Sequence, residues 1–479
     1  MVDTDVSYTI IAIVFPLVEL LGIAAAVHAV MYARTSQGAI AWAISLITFP
    51  WVALVLYAIF GRNKFHGYVL LRSAKNSDIH HYIEKIQTEA ADRGLVRENL
   101  PLSKVALSRL AEMPTTRYNK TRLLIDGRET FRRIFEGIES TQRYILVQFF
   151  IVRDDAIGRE LQSKLIQKAQ EKVKVYFLYD EIGSHKLPQS YLRDMQIAGV
   201  TTSAFHSTKG KANRFQLNFR NHRKIVVVDG KTAYIGGHNV GDEYLGQHPK
   251  FAPWRDTHVS VEGPAVQAIQ FCFVEDWYWA TKSIPELTWE LNKAADGQED
   301  ALVIASGPAD RLETCGLMFV QAINAANERI WIASPYFVPD LQTISALKLA
   351  ALRGVDVRIL LPEKPDHRTV HLASFTYYQS TLPLGIKLYR YTAGFMHQKV
   401  FLVDSCCAAV GTANLDNRSF RLNFEITLLN YDPAFVKAVD TMLTDDFSRS
   451  RPVSVEDYTQ RSFFFKLAAR SAGLLAPIL

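Results

Sequence analysis

One polar pattern, H-x-K-x4-D, occurs twice in the chain, as His222-Arg223-Lys224-Ile225-Val226-Val227-Val228-Asp229 and as His397-Gln398-Lys399-Val400-Phe401-Leu402-Val403-Asp404. Seven residues after each Asp a second pattern begins, Gly236-Gly237-His238-Asn239 in one case and Gly411-Thr412-Ala413-Asn414 in the other. Side chains two positions apart leave a β-strand on the same face, so we expect the His and the Lys of each copy to be neighbours on one strand. A lone H-x-K pair is typical of a solvated strand edge, whereas two complete copies indicate a shared function.

The two patterns belong to two copies of a larger repeat. Each copy contains an apolar strand, a helix and a second apolar strand, at 144–150, 157–172 and 173–179 in the first and at 329–334, 341–353 and 355–361 in the second. Such units are typical of a parallel or mixed sheet covered by helices. The sequence therefore predicts an α/β fold with two duplicated domains, each a mixed β-sheet flanked by helices, at 116–295 and 296–479.

The residue types of the repeated pattern favour an anionic ligand over a metal ion. His and Asp are metal ligands, but a Lys on the same strand brings a positive charge that repels a cation. The four cysteines, Cys272, Cys315, Cys406 and Cys407, have neither CxxC nor zinc-ligand spacing. We therefore expect no metal, no cofactor and no disulfide framework. The net charge of +6 favours anionic partners, and an anionic membrane surface is one of them.

The start of the chain differs in composition from the rest. Residues 8–31 are apolar apart from Glu19 and His28, and residues 38–60 carry no charge. Each run is long enough to cross a membrane as a helix, so the sequence predicts a two-helix transmembrane hairpin at 1–62. A signal peptide is disfavoured because the first residues are acidic and a second span follows at once. A hairpin buried in a protein core is the other alternative.

Basic residues beside the spans predict the orientation of the hairpin. The loop between the spans holds Arg34, whereas four basic residues follow the second span: Arg62, Lys64, Arg72 and Lys75. The positive-inside rule then places the loop outside and the rest of the chain in the cytoplasm. Residues 63–115 form a membrane-proximal linker in this scheme. Glu19, inside the first span, is expected to pack in its protonated form against the second helix, or else to serve a function.

The paired H-x-K-x4-D patterns resemble the phospholipase D superfamily. Five further segments are similar to its cardiolipin synthase branch: YAIFGRN (57–63), PWRDTHV (253–259), SPYFVPD (334–340), GFMHQKV (394–400) and RSFRLNFE (418–425). The resemblance runs over nearly the whole chain. The sequence departs from the family pattern at Thr412, where Ser is common, and at His238, inside the first Gly-Gly-x-Asn.

The resemblance implies a pseudo-twofold pair of domains with one active site between them. One histidine attacks phosphorus to form a phosphohistidine, and the other protonates the departing oxygen and then activates the incoming alcohol. We expect His222 to be the nucleophile because Arg220 and Arg223 flank it and keep its imidazole neutral. His397 is then the general acid, with its protonated form favoured by Glu425.

Each histidine also needs a partner on its other ring nitrogen, which fixes the tautomer and the ring orientation. By resemblance, Asp256 is expected to orient His222, and Glu425 is expected to orient His397. The alternative for either carboxylate is an ordinary surface residue.

Other members of the two motifs receive supporting roles. Four side chains are expected to bind the phosphate oxygens: Lys224, Lys399, Asn239 and Asn414. Asp229 and Asp404 complete the catalytic motifs. They lie five residues beyond the Lys on a strand, too far to reach the phosphate, so we expect them to hold the following turn.

The resemblance implies a phosphatidyltransferase of the bacterial cytoplasmic (inner) membrane that joins two phosphatidylglycerol molecules into cardiolipin, with phosphatidylglycerol and other anionic phospholipids as its partners. Two alternatives share the chemistry, a hydrolytic phospholipase D and a nuclease. A basic cluster is compatible with a nucleic-acid backbone: Lys209, Lys211, Arg214, Arg220 and Arg223. The membrane anchor favours lipid instead, and we expect no nucleic-acid partner.

The C-terminal segment 461–479 (RSFFFKLAARSAGLLAPIL) is apolar with a few basic residues. Two interpretations are open: an interfacial helix that lies on the bilayer, and a terminal helix that docks on the core.

Overall fold

The computed structural model describes residues 2–61, 64–65, 68–69, 78–205 and 218–479. The chain divides into two units, Met1–Ser73 with Ser207–Phe219, and Ala74–His206 with Arg220–Leu479. Six residues named in the sequence-based predictions lie outside the described residues: Arg62, Arg72 and Lys75 of the orientation argument, and Lys209, Lys211 and Arg214 of the basic cluster.

The two predicted membrane spans form three helices: α1 (Val2–Tyr32), α2 (Ser36–Thr48) and α3 (Pro50–Phe60). The second predicted span is broken at Phe49, which has φ −136° and ψ 56°. Pro50 has no N–H for the helix ladder, and its ring disfavours helical dihedral angles at the preceding residue. Within the described residues, Ala12–Tyr32 is the one helix that is long and apolar enough to cross a membrane. The two-helix hairpin is therefore not confirmed.

Small side chains let α1 pack closely against the next two helices. A Cβ atom on Gly22 would lie 2.5 Å from the carbonyl oxygen of Leu46 and 2.9 Å from the Cβ of Pro50. One turn and a half further on, His28 Nδ1 lies 2.7 Å from the hydroxyl of Tyr57. Close approach at small residues, with a polar contact between helices, is typical of helices that associate in lipid.

The second unit carries the duplicated fold. Its strands are β1 (Thr116–Ile125), β2 (Tyr144–Phe149), β3 (Lys174–Asp180), β4 (Thr201–Phe205), β5 (Arg220–Asn221), β6 (Ile225–Val228), β7 (Thr232–Gly236), β8 (Trp254–Arg255), β9 (Thr257–Glu262), β10 (Glu299–Ser306), β11 (Arg329–Ala333), β12 (Phe337–Val338), β13 (Asp356–Pro362), β14 (Lys387–Tyr391), β15 (Phe395–Met396), β16 (Val400–Val403), β17 (Cys407–Gly411), β18 (Leu415–Asp416), β19 (Asn423–Asn430) and β20 (Ser450–Pro452). Its α-helices are α4 (Asp78–Asp92), α5 (Leu102–Ala111), α6 (Asp126–Ser140), α7 (Ala156–Gln170), α8 (Gln189–Ile197), α9 (Ala265–Thr281), α10 (Thr314–Ala325), α11 (Leu341–Leu352), α12 (Arg368–Ser374), α13 (Tyr378–Thr381), α14 (Asn417–Arg421), α15 (Pro433–Ser448), α16 (Glu456–Thr459) and α17 (Phe463–Leu474).

The two halves of the main sheet have the same strand order. From the centre outward the first half runs β1-β9-β7-β6-β2-β3-β4, and the second runs β10-β19-β17-β16-β11-β13-β14 with β20 at its outer edge. The halves join where β1 pairs antiparallel with β10, with Thr116 opposite Ala301. The predicted duplicated, mixed α/β fold is therefore confirmed, while the domain bounds 116–295 and 296–479 stay predictions.

Burial explains why the predicted strands were visible in the sequence. All residues of β2, β6 and β16 are buried, because helices cover the sheet on both faces. Each half has its own apolar core on one side of the sheet. Within the repeat, the predicted strand and helix bounds differ from the observed ones by at most two residues. Part of the predicted linker 63–115 is helical, and Leu107 of α5 belongs to the core of the second half.

Candidate active site

The two H-x-K segments lie next to strands rather than on them. One segment lies between β5 and β6, and the other lies between β15 and β16. The predicted placement of His and Lys on one strand is therefore wrong, although the apolar residues after each Lys do form buried strands. Each segment enters beside the opposite half of the sheet. The His222 N–H donates to the Phe424 carbonyl at 3.0 Å, and the His397 N–H donates to the Arg255 carbonyl at 2.8 Å.

Each histidine is hydrogen bonded to a carboxylate from the other half of the sheet. His222 Nδ1 lies 2.9 Å from Glu425 Oε2, and His397 Nδ1 lies 2.9 Å from Asp256 Oδ2. Both carboxylates therefore contact a histidine of an H-x-K motif. The sequence-based pairing, which gave Asp256 to His222 and Glu425 to His397, is wrong.

The strand register explains the exchange of partners. Asp256 and Glu425 are equivalent positions in the two halves. In the first half, the residue three positions after Asp256 pairs with the fourth residue of β7. In the second half, the residue three positions after Glu425 pairs with the fourth residue of β17. Strand β5, just before His222, pairs in parallel with the start of β19, and β15, just before His397, pairs in parallel with β8. Each histidine is thus carried to the carboxylate of the opposite half. A local sequence pattern contains no information about this crossing.

The carboxylates are themselves held in place by neighbouring groups. Ser419 Oγ donates to Glu425 Oε1 at 2.9 Å, and Asn423 Nδ2 donates to the same oxygen at 3.2 Å. The N–H of Thr257 donates to Asp256 Oδ1 at 2.8 Å. A neutral imidazole that donates its Nδ1–H to such a carboxylate keeps a lone pair on Nε2. Both histidines are therefore arranged to react through Nε2.

The two departures from the family pattern lie close to these carboxylates. Thr412 Oγ1 accepts a backbone N–H of β19 at 2.9 Å. At the equivalent position of the first half, a Cβ atom on Gly237 would lie 1.9 Å from an Asp256 oxygen, so only glycine leaves room for that carboxylate. His238 is buried, and its Nδ1 lies 3.2 Å from Nδ1 of His258.

Burial favours the neutral form of both motif histidines. Burial lowers the pKa of His222 to about 4, against the opposing charge of Glu425. Burial, followed by the charge of Lys399, also lowers the pKa of His397. The negative charges of Asp256 and Asp366 oppose the lowering of the His397 pKa without reversing it. The expectation that Glu425 favours a protonated His397 is wrong, since Glu425 contacts the other histidine.

The arginines that flank His222 in the sequence are not among the largest contributions to its lowered pKa. The Arg223 side chain is fully buried, and its guanidinium lies 2.9 Å from the Asp276 carboxylate. The pKa of His222 is lowered mainly by burial and by the charge of Lys224, with a smaller contribution from the other motif lysine. Burial therefore replaces the flanking arginines as the main reason for a neutral His222, and the role of His222 as nucleophile stays a prediction.

Two buried lysines complete the charges at the site. Lys224 Nζ donates to the His222 carbonyl at 2.6 Å, and Lys399 Nζ donates to the His397 carbonyl at 2.5 Å. Burial lowers the pKa of Lys224 well below its ordinary value and that of Lys399 to about 8. An anion bound between the two ammonium groups would offset the cost of burying their charge. Within the described part of the chain, no three His, Cys, Asp or Glu side chains form a group that could hold a metal ion.

The asparagines that follow each motif are also buried. Asn239 Oδ1 accepts the N–H of Ile151 at 3.1 Å, and Asn239 Nδ2 lies 3.4 Å from the hydroxyl of Tyr244. The backbone N–H of Asn414 donates to Ser419 Oγ at 3.0 Å. Their expected contact with a phosphate stays a prediction.

The last residue of each motif organises the backbone at the far end of the strand. The Asp229 carboxylate accepts the backbone N–H groups of Gln142, Arg143 and Tyr144, and the Asp404 carboxylate accepts those of Asn327, Glu328 and Arg329. Both aspartates have positive φ, 53° and 49°, as expected at a turn. They hold the turn before β2 or β11 in place, in addition to ending their own strand. They are structural members of the motifs and not part of the reacting centre.

Two buried aspartates that the sequence analysis missed anchor the H-x-K segments. Asp276 of α9 accepts hydrogen bonds from Gln148, Asn221 and Arg223, and Asp446 of α15 accepts them from Arg255 and Gln398. Each acidic residue lies in a largely buried helix, 20 residues after Asp256 and 21 residues after Glu425. This recurrence in both copies is the signal that could have revealed them.

Comparisons with known proteins show the family to which the chain belongs. A family model described as "Cardiolipin synthase, PLD-like domain" matches residues 134–250 and 319–447, and one described as "Phospholipase_D-nuclease N-terminal" matches 20–62. Cardiolipin synthase A of Pseudomonas putida (strain W619) is 49% identical over 469 residues, covering 97% of this chain and 98% of its own. Cardiolipin synthase A of Pseudomonas fluorescens (strain SBW25) is 50% identical over 462 residues, covering 96% of each chain. A phosphatidylserine synthase from Haemophilus influenzae Rd KW20 shares the fold, with a TM-score of 0.56 and 16% identity over 79% of this chain and 100% of its own.

Proposed function

The chain belongs to the cardiolipin synthases of the phospholipase D superfamily, and we propose that it joins two phosphatidylglycerol molecules into cardiolipin and releases glycerol. It is a phosphatidyltransferase. The observation that carries the proposal is the pair of crossed dyads, His222 with Glu425 and His397 with Asp256, beside two buried lysines. This is the set of groups that a transfer through a covalent phosphohistidine requires.

The proposed reaction has two steps. The first step takes place in the enzyme form in which His397 is protonated. His222 Nε2 attacks the phosphorus of the donor lipid, the bond from phosphorus to the glycerol headgroup breaks, and His397 gives its proton to the departing oxygen. In the second, a hydroxyl of the acceptor phosphatidylglycerol attacks the phosphohistidine and gives its proton to His397. The bond from phosphorus to His222 breaks, and the enzyme returns to its starting state.

Surrounding charges support this division of roles. His397 lies near the carboxylates of both Asp256 and Asp366, which favour its protonated form. His222 has Glu425 as its carboxylate partner and is opposed by two lysine charges, which favours the neutral form that a nucleophile needs. Charge on the pentacoordinate transition state would be stabilised by four side chains: Lys224, Lys399, Asn239 and Asn414.

The N-terminal unit fits a membrane anchor. We infer that α1 crosses the bilayer and that α2 and α3 together return through it, with the break at Phe49 as a kink inside the second crossing. The broken apolar stretch from Ser36 to Phe60 is long enough for this path. The catalytic unit then lies on the cytoplasmic side of the bacterial inner membrane, where its anionic lipid substrates are available.

Labelled phosphatidylglycerol tests the proposed activity. The purified enzyme should convert it into cardiolipin with release of glycerol, and added glycerol should reduce the yield of cardiolipin by attacking the phosphohistidine in the reverse of the first step. EDTA should leave the rate unchanged, because two lysines supply the positive charge at the phosphate. Phosphatidic acid as the main product would identify a hydrolase instead. Cleavage of single-stranded DNA without lipid turnover would favour the nuclease alternative.

A further inference from the structure

A carboxylate that the two-step scheme leaves without a direct role lies near the edge of the sheet where the second histidine enters. Asp366 lies four residues beyond the end of β13. Leu360 of β13 and Val400, three residues after His397, both pair with Ala333 of β11. Its side chain is 23% exposed, so a ligand can reach it from solvent. The hydroxyl of Tyr336 donates to Asp366 Oδ2 at 2.6 Å.

The Tyr336–Asp366 pair offers hydrogen-bond acceptors and no donor. Asp366 Oδ1 accepts the backbone N–H of His367 at 2.7 Å, and the Tyr336 proton is already donated to Asp366. The remaining lone pairs of both groups are acceptors. Both residues line the same small cavity. A ligand that binds this pair must therefore donate hydrogen bonds, and a fixed negative charge disfavours a phosphate there.

The first half of the sheet lacks this pair at the matching place. The strand registers make Ile145 equivalent to Ile330, so that six residues further on Ile151 corresponds to Tyr336. The pairing of β2 with β3 and of β11 with β13 extends this alignment to the next strand of each half. In that alignment Ser184 corresponds to Asp366. Ser184 Oγ is occupied by backbone contacts, since it accepts the N–H of Val152 at 3.1 Å and donates to the Phe150 carbonyl at 3.1 Å. The two halves thus share their catalytic groups but differ in this pair.

Because the two halves differ in this pair and the pair lies on the His397 side, we relate it to the alcohol with which His397 exchanges a proton. In the proposed function, on which this inference rests, His397 first protonates the departing glycerol and then deprotonates the entering alcohol. Both groups carry several hydroxyls and no charge at the reacting end. The hydroxyls of a glycerol headgroup are hydrogen-bond donors of the kind that the acceptor pair requires.

We propose that Asp366 and Tyr336 form the binding site for the glycerol hydroxyls of the leaving and the entering alcohol. The pair holds the non-reacting hydroxyls and so places the reacting one at His397 Nε2. A molecule with one hydroxyl, such as water or a simple alcohol, cannot occupy the pair and reach His397 at once. The site therefore selects a polyol acceptor, and with it transfer over hydrolysis.

Competition between alcohols tests the proposal in the full-length enzyme. Acyl-labelled phosphatidylglycerol in detergent micelles is offered deuterated glycerol and 1-propanol at equal concentration, and the two phosphatidyl products are counted by mass spectrometry. The wild type should prefer glycerol. Asp366→Asn and Tyr336→Phe should each lower the ratio of glycerol to propanol product about tenfold, as expected for the loss of a hydrogen bond to a charged group. Asp194→Asn, at an exposed position of α8, should leave the ratio unchanged.

Because the readout is a ratio within each variant, a general loss of activity does not affect it. An unchanged ratio in both variants overturns the proposal, as does a wild type without preference or an equal drop in Asp194→Asn. If Asp366→Asn does not accumulate as folded protein, Tyr336→Phe decides alone, since it keeps the aromatic ring. A wild type that makes no cardiolipin from phosphatidylglycerol defeats the proposed function instead. Cardiolipin synthesis with unchanged ratios defeats this inference alone.

Discussion

The two motif histidines are the same side chain with different surroundings, and we expect this difference to determine which of them is the nucleophile. His222→Ala should abolish the covalent phosphatidyl-enzyme, because no other group replaces its Nε2 as the nucleophile. His397→Ala should still form the covalent enzyme, slowly, when the donor carries p-nitrophenol, since a good leaving group needs no acid. Quenching in denaturant at mildly alkaline pH, where the bond from phosphorus to the imidazole survives, followed by digestion and mass spectrometry, would locate the phosphoryl group. A phosphoryl group on His397 in the wild-type enzyme would reverse the assignment.

Lys399 should leave a signature in the pH dependence of the rate. The first step needs His397 protonated, and its pKa lies below the ordinary value, so kcat/KM should fall with slope −1 as pH rises through neutrality. The pKa of Lys399 is lowered to about 8, so its charge is also lost above that pH and the slope should steepen to −2. Lys399→Arg keeps its charge at all these pH values. Above about pH 8 the profile of the variant should therefore fall less steeply than that of the wild type, and an identical profile for both enzymes would contradict the role of Lys399.

The residues of the site could be predicted where their spacing in the sequence indicates their chemistry. His222, Lys224, His397 and Lys399 could be identified because two copies of one pattern are unlikely to arise by chance. Their partners could not be assigned, because the choice between Asp256 and Glu425 depends on which strands of the two halves pair. The same limit applies to Asp366. It lies on the His397 side of the sheet because β13, the strand before it, ends there.

The structural elements were predicted well where burial alone determines them. Strands such as β2 and β13 have apolar residues on both faces, and their bounds follow directly from the sequence. The break at Phe49 was missed because composition was considered without the dihedral restriction that Pro50 imposes on the residue before it. The short strands β5 and β15 were missed because two residues of extended chain carry no periodic signal.

Helix α17 combines the two interpretations left open for the C-terminal segment. Ala469 and Ala472 are buried and dock it on the second half, whereas Phe463, Phe464 and Leu474 are 72%, 79% and 82% exposed. An exposed apolar face with basic residues on the same helix is typical of a helix that lies on an anionic membrane. We expect a chain that begins at residue 74 to sediment with phosphatidylglycerol vesicles through this face.

Substitution of the exposed aromatic residues tests this attachment. Phe463→Ser with Phe464→Ser should reduce vesicle binding at least tenfold, because burial of each ring contributes about 1.5–3 kcal/mol. The matched control is Leu341→Ser with Leu349→Ser, which changes two exposed apolar residues of α11. Equal losses in the two double variants would show that binding does not depend on α17.

At the scale of the whole molecule, the two halves form one catalytic unit rather than two linked domains. The main sheet continues from β1 to β10, and β5 and β8 each pair with a strand of the opposite half. The repeat itself could be predicted from the sequence, but its joining could not, since strand partners across a duplication have no local signal. The consequence is that neither half holds a complete histidine–carboxylate dyad.

Carboxylate variants test this crossing in the intact chain. Glu425→Gln lies in the second half but should behave like His222→Ala and reduce formation of the covalent enzyme at least 100-fold, even with a p-nitrophenol donor, because His222 loses the group that fixes its tautomer. Asp256→Asn lies in the first half but should behave like His397→Ala and still form the covalent enzyme from that donor. Stopped-flow release of p-nitrophenol measures both. In the opposite pattern, Asp256→Asn would prevent the first step. That result would mean that each carboxylate orients the histidine of its own half, and that the observed contacts between the halves are not the ones used in the reaction.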